Sequence, residues 1–191
     1  MNKNRIAKIL SYIFIPPVMN VVIFILFALK IEQTNNRFYV ILSAIIFGFL
    51  LPLTTFIILR KQGKIVDDDA TIKEERTVPY LFGIFFSVLA IVLLNYFKVS
   101  ESSVLLWISY FVNSIVLISV NKIWKISAHS MGAAIPFAAS LLLGSIYPLV
   151  FAIILLLVAW ARYELKVHTM PQIIAGAFVG FIITFLLLNL S

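Results

Sequence analysis

The chain has two histidines, His129 and His168, and each stands where an apolar run begins. His129 follows Ser127 and Ala128 at the head of one run, and His168 precedes Thr169 and Pro171 at the head of another. Arg162 lies six residues before His168, at the end of the intervening run, and Arg76 stands just before a third run. An imidazole can serve as a nucleophile or as a proton donor. Two guanidiniums add fixed, bidentate donors for an oxyanion. If the runs are helices, each head also offers unpaired N–H groups and the positive end of a dipole, which suit phosphate. Together these parts describe phosphoryl transfer at the lipid headgroup level. Taken singly they have plainer uses. A basic side chain near a helix end ordinarily extends to the headgroups, which is the reading for Lys61, Lys64, Lys122, Lys125 and Lys166. The joint placement of both histidines and two arginines is what points to a site.

Such residues need a scaffold, and the composition names its solvent. Of 191 residues, 62% are hydrophobic and 12% charged, against roughly 25% charged in soluble domains. A chain this short and apolar has too little polar surface to cover itself in water, so it needs lipid. There is no cysteine, which excludes disulfides and thiolate metal sites. The net charge of +7 comes without aromatic-interleaved basic stretches, so nucleic acid is not a partner. The expected fold is an all-α integral membrane protein, a bundle of six to seven transmembrane helices in a single domain, 1–191.

With about 20 apolar residues per span, the segments are Ile6–Leu29, Phe38–Leu59, Val78–Phe97, Ser103–Val120, Ser127–Leu143, Ile146–Arg162 and Met170–Leu190. The basic start could head a signal peptide, but the run continues to Leu29 without a small-residue cleavage site, so it reads as a retained helix. The fifth and sixth segments are joined only by Gly144 and Ser145 and fit two helices better than one re-entrant hairpin. Pro16-Pro17 and Pro52 should kink the first and second helices. Pro79 and Pro171 fall in first turns, where proline is tolerated. Gly176 and Gly180 form a small-xxx-small pair for close packing. Asn20 and Asn113, in mid-helix, are read as bonding neighbouring helices.

Seven spans put Lys3, Arg5, Lys8, Arg60, Lys61, Lys64, Lys73, Arg76, Lys122, Lys125, Arg162 and Lys166 on one side, against Lys30, Arg37 and Lys98 on the other. By the positive-inside rule the first side is cytoplasmic. It carries both histidines and the N-terminus, with Ser191 opposite. The implied location is a bacterial inner membrane, with the site on the cytoplasmic side. Asp67-Asp68-Asp69 reads as a solvated loop, with a divalent-metal site joined by Glu74 and Glu75 as the minority reading.

At these residues the chain resembles the type 2 phosphatidic acid phosphatase (PAP2) superfamily, whose motifs are K-x6-R-P, P-S-G-H and S-R-x5-H-x3-D. The third corresponds to Ala161-Arg162 through His168 to Gln172, the second to Ile126-Ser127-Ala128-His129, and the first, most loosely, to Lys73-Glu74-Glu75-Arg76-Thr77-Val78-Pro79. The resemblance covers roughly Asp69 to Gly180 and sets a PAP2-like core at about 69–190. It implies that His168 attacks phosphorus to form a phosphohistidine, that His129 protonates the leaving alcohol, and that Arg76, Arg162 and Ser127 hold phosphate oxygens. No metal or cofactor is implied. The implied substrate is a phosphorylated lipid or isoprenoid diphosphate. Four positions depart from the motifs: Asp69 replaces lysine, Ala128 glycine, Ala161 serine, and Gln172 the aspartate that orients the nucleophile. Lys73 could replace the lysine from one turn away. A catalytically weak or inactive relative that binds phosphorylated lipid is the alternative. A small transporter is disfavoured, because the ionisable residues lie at helix ends.

Overall fold

A computed structural model describes residues 2–67 and 72–190. Among them there are helices and no strands. Nine α-helices follow in order: α1 Lys3–Ile13, α2 Pro16–Lys30, α3 Thr34–Ser43, α4 Leu51–Lys61, α5 Thr77–Tyr96, α6 Glu101–Ile123, α7 Ala128–Ser140, α8 Tyr147–Glu164 and α9 Met170–Leu188. Among the described residues, five continuous helices are long and apolar enough to cross a membrane: Thr34–Lys61, Lys73–Tyr96, Glu101–Ile123, Tyr147–Glu164 and Met170–Leu188. The pair α1 and α2 would make a sixth, but it bends by 51°. The stretch Ala128–Leu143 is apolar but shorter.

The first span differs from its sequence reading. The prolines do not kink a continuous helix; they start a new one. Pro16 and Pro17 occupy the first turn of α2, where a missing N–H costs nothing, and α1 ends before them. Taken by itself, α1 is amphipathic. Ala7 and Ser11, one turn apart, are buried against α8, while Lys3, Arg5 and Lys8 are exposed.

Pro52 also acts differently from a simple kink. It sits in the first turn of α4, directly after a π-helical stretch, Ala44–Leu50. A helical proline clashes with the carbonyl four residues back, here that of Gly48. The wider π turn makes room for the ring, so Thr34–Lys61 remains one helix.

The short helix α7 is the core of the bundle. It packs on α2, α8 and α9, and Ser130 through Pro136 are all buried. A Cβ added at Gly176 would lie 2.4 Å from the Ser127 carbonyl oxygen, and one at Gly180 would lie 2.6 Å from that of Met131. Gly176 and Gly180 thus oppose Ser127 and Met131 in the same order along the two helices. α7 and α9 are therefore parallel neighbours with backbones in contact, and their N-termini lie together. The Ser127 N–H donates to the Gln172 carbonyl at 3.1 Å, tying the two heads.

The opposite ends are joined by a different device. Glu32, buried after α2, accepts hydrogen bonds from the Ser100 N–H and from the hydroxyls of Ser100 and Ser103 at the head of α6. The carboxylate complements the α6 dipole and satisfies donors that would otherwise be orphaned.

Candidate functional site

Arg76, His129, Arg162 and His168 come from four separate elements and line one cavity of about 800 Å³. The parallel packing of α7 and α9 explains the histidines: His129 is in the first turn of α7, and His168 lies just before α9. Arg162 arrives from the last turn of α8, and Arg76 ends the 3-10 turn Lys73–Arg76 that leads into α5. Both guanidiniums are buried, Arg162 completely and Arg76 at 3% exposure. Buried charge is costly unless it is held. Arg162 donates to the Ser11 hydroxyl at 2.6 Å, and Arg76 reaches the Ile126 carbonyl at 3.5 Å.

His168 is buried in the connection between α8 and α9. Its pKa is lowered to about 3, first by burial and then by the positive charges of Arg76, Arg162 and Lys125. The ring is therefore neutral at pH 7, with a lone pair available. Its Nδ1 is buried and makes no hydrogen bond.

The remaining sequence candidates take other positions. Ser127 does not line the cavity; it is the N-cap of α7, and its hydroxyl accepts from the Ser130 N–H at 3.2 Å. Gln172 is the third helical residue of α9, and its side-chain oxygen accepts from the Thr169 N–H at 3.0 Å, completing a capping box. Its amide lies near the His168 ring without forming a hydrogen bond to Nδ1. Lys73 is outside the cavity, donating to the Lys122 carbonyl at 3.1 Å and facing Glu74 at 3.9 Å. Asp68 and Asp69 lie outside the described residues. Among those described, no group of three or more histidines or carboxylates is placed to hold a metal. Glu75 instead accepts from the Val66 N–H at 3.0 Å.

Four participants escaped the sequence reading. Ser11 bonds Arg162 through its hydroxyl and His129 through its backbone, so α1 braces both. Tyr80, one helical turn after Arg76, lines the cavity and hydrogen-bonds that arginine. Its i,i+4 spacing from Arg76 was the available signal. Arg60 and Lys61 line the mouth as well, beyond the headgroup role read for Lys61. Comparison with models of known families, with curated proteins and with solved structures gives no match.

Proposed function

We propose that the protein is a membrane lipid phosphatase of PAP2 type, hydrolysing a lipid phosphate or isoprenoid diphosphate through a phosphohistidine. The observation that carries this reading is the convergence of two buried arginines and both histidines on one cavity whose walls are otherwise mostly apolar. Arg76 and Arg162 would hold the phosphate oxygens. A nitrogen of neutral His168 would attack phosphorus, and the phosphorus–oxygen bond to the leaving group, the lipid alcohol or the isoprenoid monophosphate, would break as protonated His129 supplies its proton. Water would then attack the phosphohistidine, with His129 taking a proton from it, releasing phosphate and restoring both rings. Bound phosphate also offsets the two guanidinium charges, which favours the protonated imidazole that the first step needs. The two helix heads add stabilisation for charge developing on phosphate oxygens.

A second reading is a phosphorylated-lipid-binding relative with little or no turnover. It is favoured by Gln172, whose side-chain oxygen caps α9 while His168 Nδ1 lacks a hydrogen bond. The deciding experiment measures phosphate release by purified protein over a panel of lipid phosphates, with and without chelator. Release that survives chelation and disappears in His168→Ala, with that variant still inserted, is expected. Binding without release selects the second reading, and strict dependence on magnesium overturns the histidine mechanism.

The charge asymmetry supports a cytoplasmic site in a seven-traverse topology. Reporter fusions after Gln62 and after Leu190 should report opposite sides. The same side for both refutes that topology.

A further inference from the structure

The cavity does not end at the arginines. Asn20 on α2, Gly48 on the π-helical stretch, and Tyr110 and Asn113 on α6 line its other end. Arg60 and Gly48 both line the cavity and stand twelve residues apart on one helix, roughly 18 Å at 1.5 Å per residue. With a hydrocarbon layer about 30 Å thick, that depth is near the membrane centre.

Three polar atoms at this depth have no partner: Asn20 Oδ1, Tyr110 Oη and Asn113 Oδ1. Asn20 is 3% exposed and Asn113 1%. The Asn113 amide is oriented, since its Nδ2 donates to the Ser109 carbonyl at 2.9 Å and to Thr184 on α9 at 3.4 Å. That bond to α9 is the helix-joining role read from the sequence, and it leaves the oxygen over. The Tyr110 hydroxyl approaches the Asn20 amide without meeting hydrogen-bond geometry. A Cβ at Gly48 would fall 1.9 Å from Asn20 Oδ1, so only glycine leaves space for this amide. The main chain leaves regular α geometry at the same place, as helices often do at functional sites.

Unpaired polar atoms in a membrane core are costly, and native structures seldom keep three together without something to satisfy them. Two are amide oxygens, which only accept, so the missing group is a donor. The geometry points to a hydroxyl-recognition subsite: we propose that the cavity binds a lipid whose phosphate lies at Arg76 and Arg162 and whose chain carries a hydroxyl that donates to the side-chain oxygen of Asn20 or Asn113 and accepts from the Tyr110 hydroxyl. This deepens the lipid-phosphate reading, on which its outer half rests. Water is the other source of the same O–H chemistry.

Purified protein is titrated with octadecyl phosphate and with 12-hydroxyoctadecyl phosphate, whose hydroxyl lies at about the depth of the subsite. The hydroxylated lipid should bind about tenfold more tightly. Tyr110→Phe and Asn20→Leu should each reduce that preference to about twofold or less and leave octadecyl phosphate affinity within about twofold. Equal affinities for the wild-type protein mean that water fills the subsite, and overturn the proposal. A preference that survives in both variants overturns it too. The same pair without phosphate separates the two readings. If octadecyl phosphate binds no better than octadecan-1-ol while the 12-hydroxy alcohol is still preferred, the phosphate reading fails and the subsite stands.

Discussion

Replacing Gly176 with alanine tests the contact that brings the two histidines together. The new Cβ would sit 2.4 Å from the Ser127 carbonyl oxygen, 3.2 Å from its carbonyl carbon and 3.3 Å from its nitrogen. Non-bonded heavy atoms settle at about 3.5 Å, so the helices must part by about 1 Å there. All three obstructing atoms are backbone, so no rotamer change relieves the clash. Overpacking of this kind costs roughly 1–3 kcal/mol. Parting the helices also stretches the bond from the Ser127 N–H to the Gln172 carbonyl, now 3.1 Å, at a further cost of about 1 kcal/mol. A total near 3 kcal/mol lowers the unfolding midpoint by roughly 6–12 °C in a chain of this length. The displaced head of α7 carries His129, and a 1 Å misplacement of a reacting group is worth about 10²-fold in rate. Thermal unfolding in detergent reads the first effect and phosphate release reads the second. Gly83→Ala is the stability control, because its nearest neighbour, the Ser114 hydroxyl, is 4.0 Å away; its midpoint should not fall. A Gly176→Ala protein that unfolds with the wild type would refute the close parallel contact. A destabilised variant with undiminished turnover would refute the link between that contact and the site.

Gln172→Asp should raise phosphate release, since a carboxylate near His168 stabilises the imidazolium and fixes the tautomer, whereas Gln172→Leu removes the Gln172 half of the α9 capping box and should cost about 1 kcal/mol in unfolding measurements; a slower Gln172→Asp variant would show that another group orients the ring. His168 has a folded pKa of about 3 against about 6.5 unfolded. The unfolded chain therefore binds the extra proton first, so stability should be constant above about pH 6.5 and fall as pH drops toward 3. His168→Gln should make that limb of the unfolding midpoint against pH shallower, and an unchanged limb would show that other groups cause it. Glu32→Ala should destabilise by roughly 1–3 kcal/mol by stranding its three donors, yet leave lipid-phosphate binding unchanged; loss of binding would mean that the far end of the bundle shapes the site.

The solvent, the helical class and the set of residues that share an end follow from the order of residue types along the chain. Burying a backbone in lipid requires helices here, and each apolar run can be counted because transfer from water is a local, additive property of successive residues. Alternation of direction then puts the heads of α5, α7 and α9 with the tail of α8, so Arg76, His129, Arg162 and His168 could be named together. The same one-dimensional count read α1 and α2 as one continuous helix, because hydropathy does not register that prolines at 16 and 17 suit a helix start. Tertiary structure alone decided what each side chain touches. Ser11 reaches Arg162 across 151 positions of sequence, and no local pattern encodes that distance. Gln172 could orient a histidine or cap its helix; the capping geometry at Thr169 took its oxygen. Lys73 was within reach of a phosphate site by spacing, but its ammonium donates to the α6 carbonyl at Lys122. The polar end near Asn20 and Asn113 exists because three distant segments bring three acceptor-bearing groups to one part of the cavity, with Gly48 clearing space for the Asn20 amide, a property of packing that spacing along the chain does not carry.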